Sequence, residues 1–204
     1  MKNLALISVI FAIFLVGCTP KTQYISGGIK SEENDIMTMG IDAADFDAAA
    51  IDATESLLKS GVFDKKGKNK NILAIGRITN DTTQRIDTDL LTKKIRIELL
   101  NSGKVLVTTA LSEGMAEDRM TYQTRNLREN EEFKQDTVAK KGTLYAPDYS
   151  LSGKIIQRSA NLDRSKRVVD YYFQLTLTDV ETGLALWENE NKISKVGSNK
   201  TVTW

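Results

Sequence analysis

ILAIGRITNDTTQRIDTDLLTKKIRIELLNSGKVLV, residues 72–107, decides the fold class. Its first seven residues are nearly continuously apolar, which predicts a strand buried on both faces. The turn formers Thr79, Asn80, Asp81 and Thr82 follow. Leu91, Ile95 and Leu99 then make one stripe, widened by Leu90, Ile97 and Leu100, so a helix is expected from Thr88 or Asp89 to Asn101. Gly103 ends it, and residues 105–108 read as a short second strand. Strand, helix, strand is a βαβ unit with a right-handed crossover.

Downstream, residues 113–140 are polar and expected to be helical in two pieces, with Gly142 as a cap. A strand is expected over 149–157. Val169, Tyr171, Phe173, Leu175 and Leu177 then alternate with polar neighbours, the period of two of a half-buried strand. A tight Glu181-Thr182-Gly183 turn leads into a last strand from Leu184. Residues 158–168, with Arg164, Lys166 and Arg167, read as an exposed loop, and 198–204 as a polar tail.

Upstream, Ile41, Ala44, Ala48, Ile51 and Leu58 recur at helical spacing, so a helix is expected over about 41–60, stopped by Gly61. Asp42, Asp45, Asp47 and Asp52 crowd its first turns. Their spacing is not that of a calcium loop, which also needs a glycine and a terminal glutamate. They are expected to complement the helix dipole on a solvated face. Lys65, Lys66, Lys68 and Lys70 surround Gly67 in a basic loop without the Gly-Lys-Ser/Thr ending of a phosphate loop. With an acidic helix and a basic remainder, pairing within the molecule is the first expectation. The sum is one α/β domain. It holds a mixed, about five-stranded sheet, a βαβ unit followed by an antiparallel meander, covered by helices.

Composition narrows the chemistry. The 204 residues include no histidine and one cysteine, Cys18, and 28 basic residues balance 27 acidic ones. Ser-His-Asp and Cys-His nucleophiles, Cys/His zinc sites and an internal disulfide are therefore excluded, and nothing points to nucleic acid. Glu188, Asp148 and Asp170 could be imagined as an acid and base pair, but no spacing brings them together. No cofactor or metal is expected, and the chain reads as a binder rather than an enzyme.

The amino terminus reads as an address. Lys2 precedes an uncharged apolar run over residues 4–16, too short for a membrane span and of the length of a signal-peptide core. Leu15-Val16-Gly17-Cys18 looks like a bacterial lipobox, in which Cys18 becomes the acylated first residue after residues 1–17 are removed. Two or more acyl chains give a stable anchor. Thr19 follows where an inner-membrane retention signal would have Asp, which points to the outer membrane, facing the periplasm. Residues 18–40, with Gly27-Gly28 and little apolar pattern, read as a flexible tether. Stretched, its roughly 22 residues would reach about 75 Å.

Three stretches, in this order behind a lipobox, resemble the LpoB family. They are residues 72–107, with their Asn-x-Thr turn and Asn-x-Gly stop; APDYSLSGKI at 146–155; and YYFQLTLTDVETGLALWE at 171–188, with Thr-Gly at the bend and Trp in the returning strand. The resemblance covers about residues 71–194. It implies a fold like the N-terminal domain of TolB, shared with CsgG-type secretion lipoproteins, and a non-enzymatic outer-membrane regulator. That regulator docks on a non-catalytic domain of a class A penicillin-binding protein and stimulates peptidoglycan synthesis, with peptidoglycan itself as a further contact. The basic loop at residues 65–70, the turn residues Asn80, Thr82 and Arg85, and the basic Arg164, Lys166 and Arg167 are the candidate contacts. For Asn80 and Thr82, turn chemistry competes with that role. An accessory lipoprotein of a CsgG-like secretion system is the alternative. The charged, non-alternating segment 113–141 is unlike the membrane hairpins that a pore would need.

Overall fold

The computed structural model describes residues 22–26, 38–64, 71–111 and 118–200. In chain order they form β1 (Gln23–Ser26), α1 (Ala43–Lys59), β2 (Asn71–Asp81), α2 (Thr88–Asn101), β3 (Val105–Val107), α3 (Met120–Asn126), β4 (Tyr149–Asn161), β5 (Lys166–Asp179) and β6 (Ala185–Ser198). One mixed sheet runs β1-β6-β5-β4-β2-β3. β2 pairs in parallel with β3 and β4, and the strands from β4 through β6 to β1 pair antiparallel. The βαβ unit and the meander are therefore both present. The sixth strand, β1, comes from the stretch expected to be tether, so part of that stretch belongs to the sheet.

The helices form a single layer. Leu91, Ile95 and Leu99 of α2 and Phe46, Ala49, Ala50, Ala53 and Leu57 of α1 pack on one sheet face. That face is built from alternate residues, among them Leu151, Ile155, Val169, Tyr171, Phe173, Leu177 and Ile193. Phe46 meets Phe173 edge-on at 6.3 Å between ring centroids. Each fully buried leucine or isoleucine here contributes about 1.5–3 kcal/mol, and Leu99→Ala would cost about 2–5 kcal/mol. The opposite face carries Ser150, Ser152, Thr176, Thr178, Glu188 and Lys192 and meets solvent.

That one-sided layering corrects the reading of β2 as buried on both faces: Leu73 and Ile75 are buried, whereas Ile72 and Ala74 are half-buried. A bulge between Ile75 and Ile78 then flips the alternation and returns Ile78 to the core. Gly153, opposite Leu175 in β4, is needed for close approach: a Cβ there would come within 2.5 Å of the Gln174 carbonyl oxygen.

The helix expected over 88–101 occupies those residues. Asp87 caps it by accepting from the Asp89 and Leu90 amides, and Gly103 closes it at φ 68°. Residues 113–140 depart from expectation. The described part holds only α3 and a short 3-10 turn at Leu127–Glu129, the rest being turns up to Gly142 at φ 76°. Residues 158–168 are not a loop either. β4 runs on to Asn161 and β5 begins at Lys166, leaving only residues 162–165 as the turn. The expected tail contributes Ser198 to the end of β6. The signal peptide, Cys18, the lysines of the 65–70 loop and residues 201–204 lie outside the described residues.

Candidate docking surface

The aspartates of α1 do more than complement a dipole. Asp42 and Asp45 make a capping box, in which the Asp45 amide donates to Asp42 Oδ1 at 3.2 Å and the Asp42 amide donates to Asp45 Oδ2 at 2.8 Å. Asp45 is fully buried rather than solvated, and so is Lys195 of β6. Lys195 Nζ donates to Asp45 Oδ2 at 2.6 Å, Asp42 Oδ2 at 3.0 Å and the Gly40 carbonyl at 2.7 Å. Asp47 pairs with Lys94, and Asp52 accepts from Asn191 at 2.5 Å. The acidic helix is thus consumed inside the molecule, as the charge balance suggested.

Beside this cluster, Tyr171 Oη donates to the Met39 carbonyl at 2.8 Å and accepts from Gln84 Nε2 at 2.5 Å. Gln84 Oε1 accepts from the Ile41 amide at 3.1 Å. Burial pushes the Tyr171 hydroxyl up to about 12. Residues 39–45, which lead into α1, are therefore tied to β5, β6 and the turn after β2. Gln84 and Lys195 carry no sequence signal for this role. Their partners lie 43 and 150 residues away.

Asn80 and Thr82 do turn work. Asn80 Nδ2 donates to the Gln84 carbonyl at 2.7 Å, and Asn80 Oδ1 accepts from the Thr82 amide at 3.1 Å and hydroxyl at 2.8 Å. Their polar atoms hold the turn in shape, while Arg85 projects from it exposed. The Thr83 amide donates to Gln157 Oε1 at 3.2 Å, which seats the turn against β4 one residue before Arg158.

Arg164 and Lys166 are exposed at the β4–β5 turn, and Arg167 is half-buried with no hydrogen-bond partner for its Nε. The turn is well built. Asp163 Oδ1 accepts from the Ser165 amide at 2.6 Å and the Lys166 amide at 2.8 Å, and the Asn199 amide donates to the Ser165 carbonyl at 2.9 Å. Those amides, with the Ser165 hydroxyl, hold the Asp163 carboxyl below its usual range. Exposed Arg158 and Leu162, the latter 57% exposed, were not legible as part of this surface because 158–168 reads as a loop. Arg85, Arg158, Arg164, Lys166 and Arg167 thus gather at one end of the sheet, and among the described residues none of them forms an ion pair. Nearby Asp81 is paired with Lys154 at 2.7 Å, and Lys154, with a smaller contribution from the charge of Arg158, draws its carboxyl below the ordinary value.

The other end of β2 borders a shallow cleft of about 270 Å³ lined by Ile72, Leu106, Val107, Thr143, Leu144 and Tyr145. Charged groups do not line it, and among the described residues no group of carboxylates, cysteines or histidines could hold a metal ion. Among them too, no helix is long and apolar enough to cross a membrane.

Solved structures with a similar arrangement include the LpoB C-terminal domain from Escherichia coli, at 16% identity and a TM-score of 0.41, covering 72% of this chain and 97% of that one. The NMR structure of E. coli LpoB has 16% identity and a TM-score of 0.40, covering 89% and 85%. Lipoprotein GNA1162 from Neisseria meningitidis has 15% identity and a TM-score of 0.34, covering 66% and 88%. No curated protein matches the chain significantly. The sequence profile described as peptidoglycan-synthase activator LpoB matches residues 45–193, from the buried Asp45 to the end of the core in β6. The chain belongs to the LpoB family of peptidoglycan-synthase activators.

Proposed function

We propose that this chain is a non-enzymatic outer-membrane lipoprotein, acylated at Cys18, that docks on a class A penicillin-binding protein and raises its rate of peptidoglycan synthesis. The family match over residues 45–193 carries the reading; it gives the secretion alternative no support. The lipobox at residues 15–18 supports the anchor, with acyl chains contributing about 0.8 kcal/mol per buried CH₂. The end of the sheet bearing Arg85, Arg164, Lys166 and Arg167 supplies the docking surface. None of these cations forms an ion pair within the described residues, so their charge can meet an acidic patch and steer its approach. Stimulation follows if the bound chain favours the synthase's active state over its inactive one. Crosslinking in intact cells with tagged, lipidated protein tests the partner. Recovery of a class A penicillin-binding protein is expected, and recovery of only secretion components would refute the proposal.

A further inference from the structure

The pairing of β4 is asymmetric. Its ladder with β2 ends at Ile156, opposite Asp81, whereas its ladder with β5 continues to Asn161. Past Gln157, whose side chain the turn after β2 meets at Thr83, the strand therefore has a ladder neighbour on one side only, over about 10 Å from Arg158 to Asn161 at ~3.3 Å per residue. The direction of the free groups follows from alternation. The Leu162 amide donates to the Lys166 carbonyl, so Leu162 faces β5, and so do Ala160 and Arg158. The N–H and C=O groups of Ser159 and Asn161 point the other way, to the open edge. Both residues are exposed, and neither backbone has a partner among the described residues.

An open edge is a template for another strand, and proteins guard such edges with charge. Arg158 lies on this one, with Arg164 and Lys166 at its tip. Two copies meeting edge to edge would bring these cations together, which disfavours self-pairing, whereas an acidic strand would be drawn in. The edge is also preformed, since Asp163 and Asn199 fix the turn that ends it.

We infer that the overhanging edge of β4 takes up an extended, acidic segment of the partner protein as an added strand, with main-chain hydrogen bonds to Ser159 and Asn161 and ion pairs to Arg158 and Arg164. This rests on the reading of the chain as a synthase-docking protein and names the mode of docking.

The test uses the acylated chain in detergent with a purified class A penicillin-binding protein. Ser159→Pro removes the outward N–H and leaves the β4–β5 ladder whole, as proline is tolerated on an edge. Arg164→Glu reverses one rim charge. Both variants are expected to weaken binding at least tenfold. In the wild-type complex the Ser159 and Asn161 amides should exchange at least tenfold more slowly than in the free chain. Weakening by Arg164→Glu alone, with the two amides exchanging as fast as in the free chain, would overturn strand addition and leave the docking reading standing. No binding by the wild-type chain would overturn both. Should Ser159→Pro fail to fold, as seen by circular dichroism, the amide measurement decides.

Discussion

Two charged regions of this molecule stand in opposite situations. Around Lys195 every charge is satisfied: the ammonium and the Asp45 carboxylate are both fully buried, 2.6 Å apart, with Asp42 and the Gly40 carbonyl completing the shell. At the β4–β5 turn, 28 to 31 residues before Lys195 in sequence, Arg164, Lys166 and Arg167 have no ion-pair partner among the described residues. The first cluster holds residues 39–45 to the sheet, and the second, on the proposed reading, leaves its charge for another molecule. Sign and number of charges do not separate them; burial and partnering do. Removing one member of the first should destabilise the fold strongly, and removing one of the second should leave it untouched.

The largest expected effect comes from Lys195→Met. It strands a buried carboxylate and should cost about 3–5 kcal/mol in urea unfolding. Adding Asp45→Asn should recover part of that loss, because the uncompensated charge is gone. A Lys195→Met variant as stable as wild type would dissolve the comparison. Tyr171→Phe should cost less, about 1–3 kcal/mol, since Gln84 Nε2 and the Met39 carbonyl lose a buried partner.

Tyr171 also predicts a pH dependence. Its hydroxyl is raised from 10.0 to about 12 in the folded state by burial. The unfolded chain therefore loses this proton first, and stability present below pH 10 should fall as pH rises toward about 12. Unfolding curves across that window should show the decline in wild type and a shallower one in Tyr171→Phe. Equal slopes would remove the buried hydroxyl from the account. The smallest effect on stability belongs to Arg164→Glu, within about 0.5 kcal/mol of wild type, as for an exposed residue with no ion pair among the described residues. A larger loss would mean that the turn cations serve the fold after all.

Local pattern was readable where one face of an element is buried and its ends carry turn chemistry. The helix over 88–101 was legible from its leucine stripe, its cap and Gly103, and the alternation of β5 from its aromatic and aliphatic residues. The outer half of the β4–β5 hairpin was not, because strand residues with no buried face carry no apolar alternation and read as loop. β1 escaped for another reason: its pairing with β6 joins residues far apart in the chain. The bulge after Ile75 turned a one-sided strand into an apparently continuous apolar run. Of the site, Arg85, Arg164, Lys166 and Arg167 could be named from sequence. That they form no ion pair among the described residues while Asp45 and Lys195 are locked together could not, since partnering across 150 residues leaves no local trace.

The most direct measurement is the rate of glycan-strand polymerisation by a purified class A penicillin-binding protein, with the wild-type chain and with Arg164→Glu. Faster polymerisation is expected with the wild-type chain and little or none of that gain with the variant, both proteins being equally stable. An unchanged rate with the wild-type chain, despite demonstrable binding, would contradict the proposed stimulation.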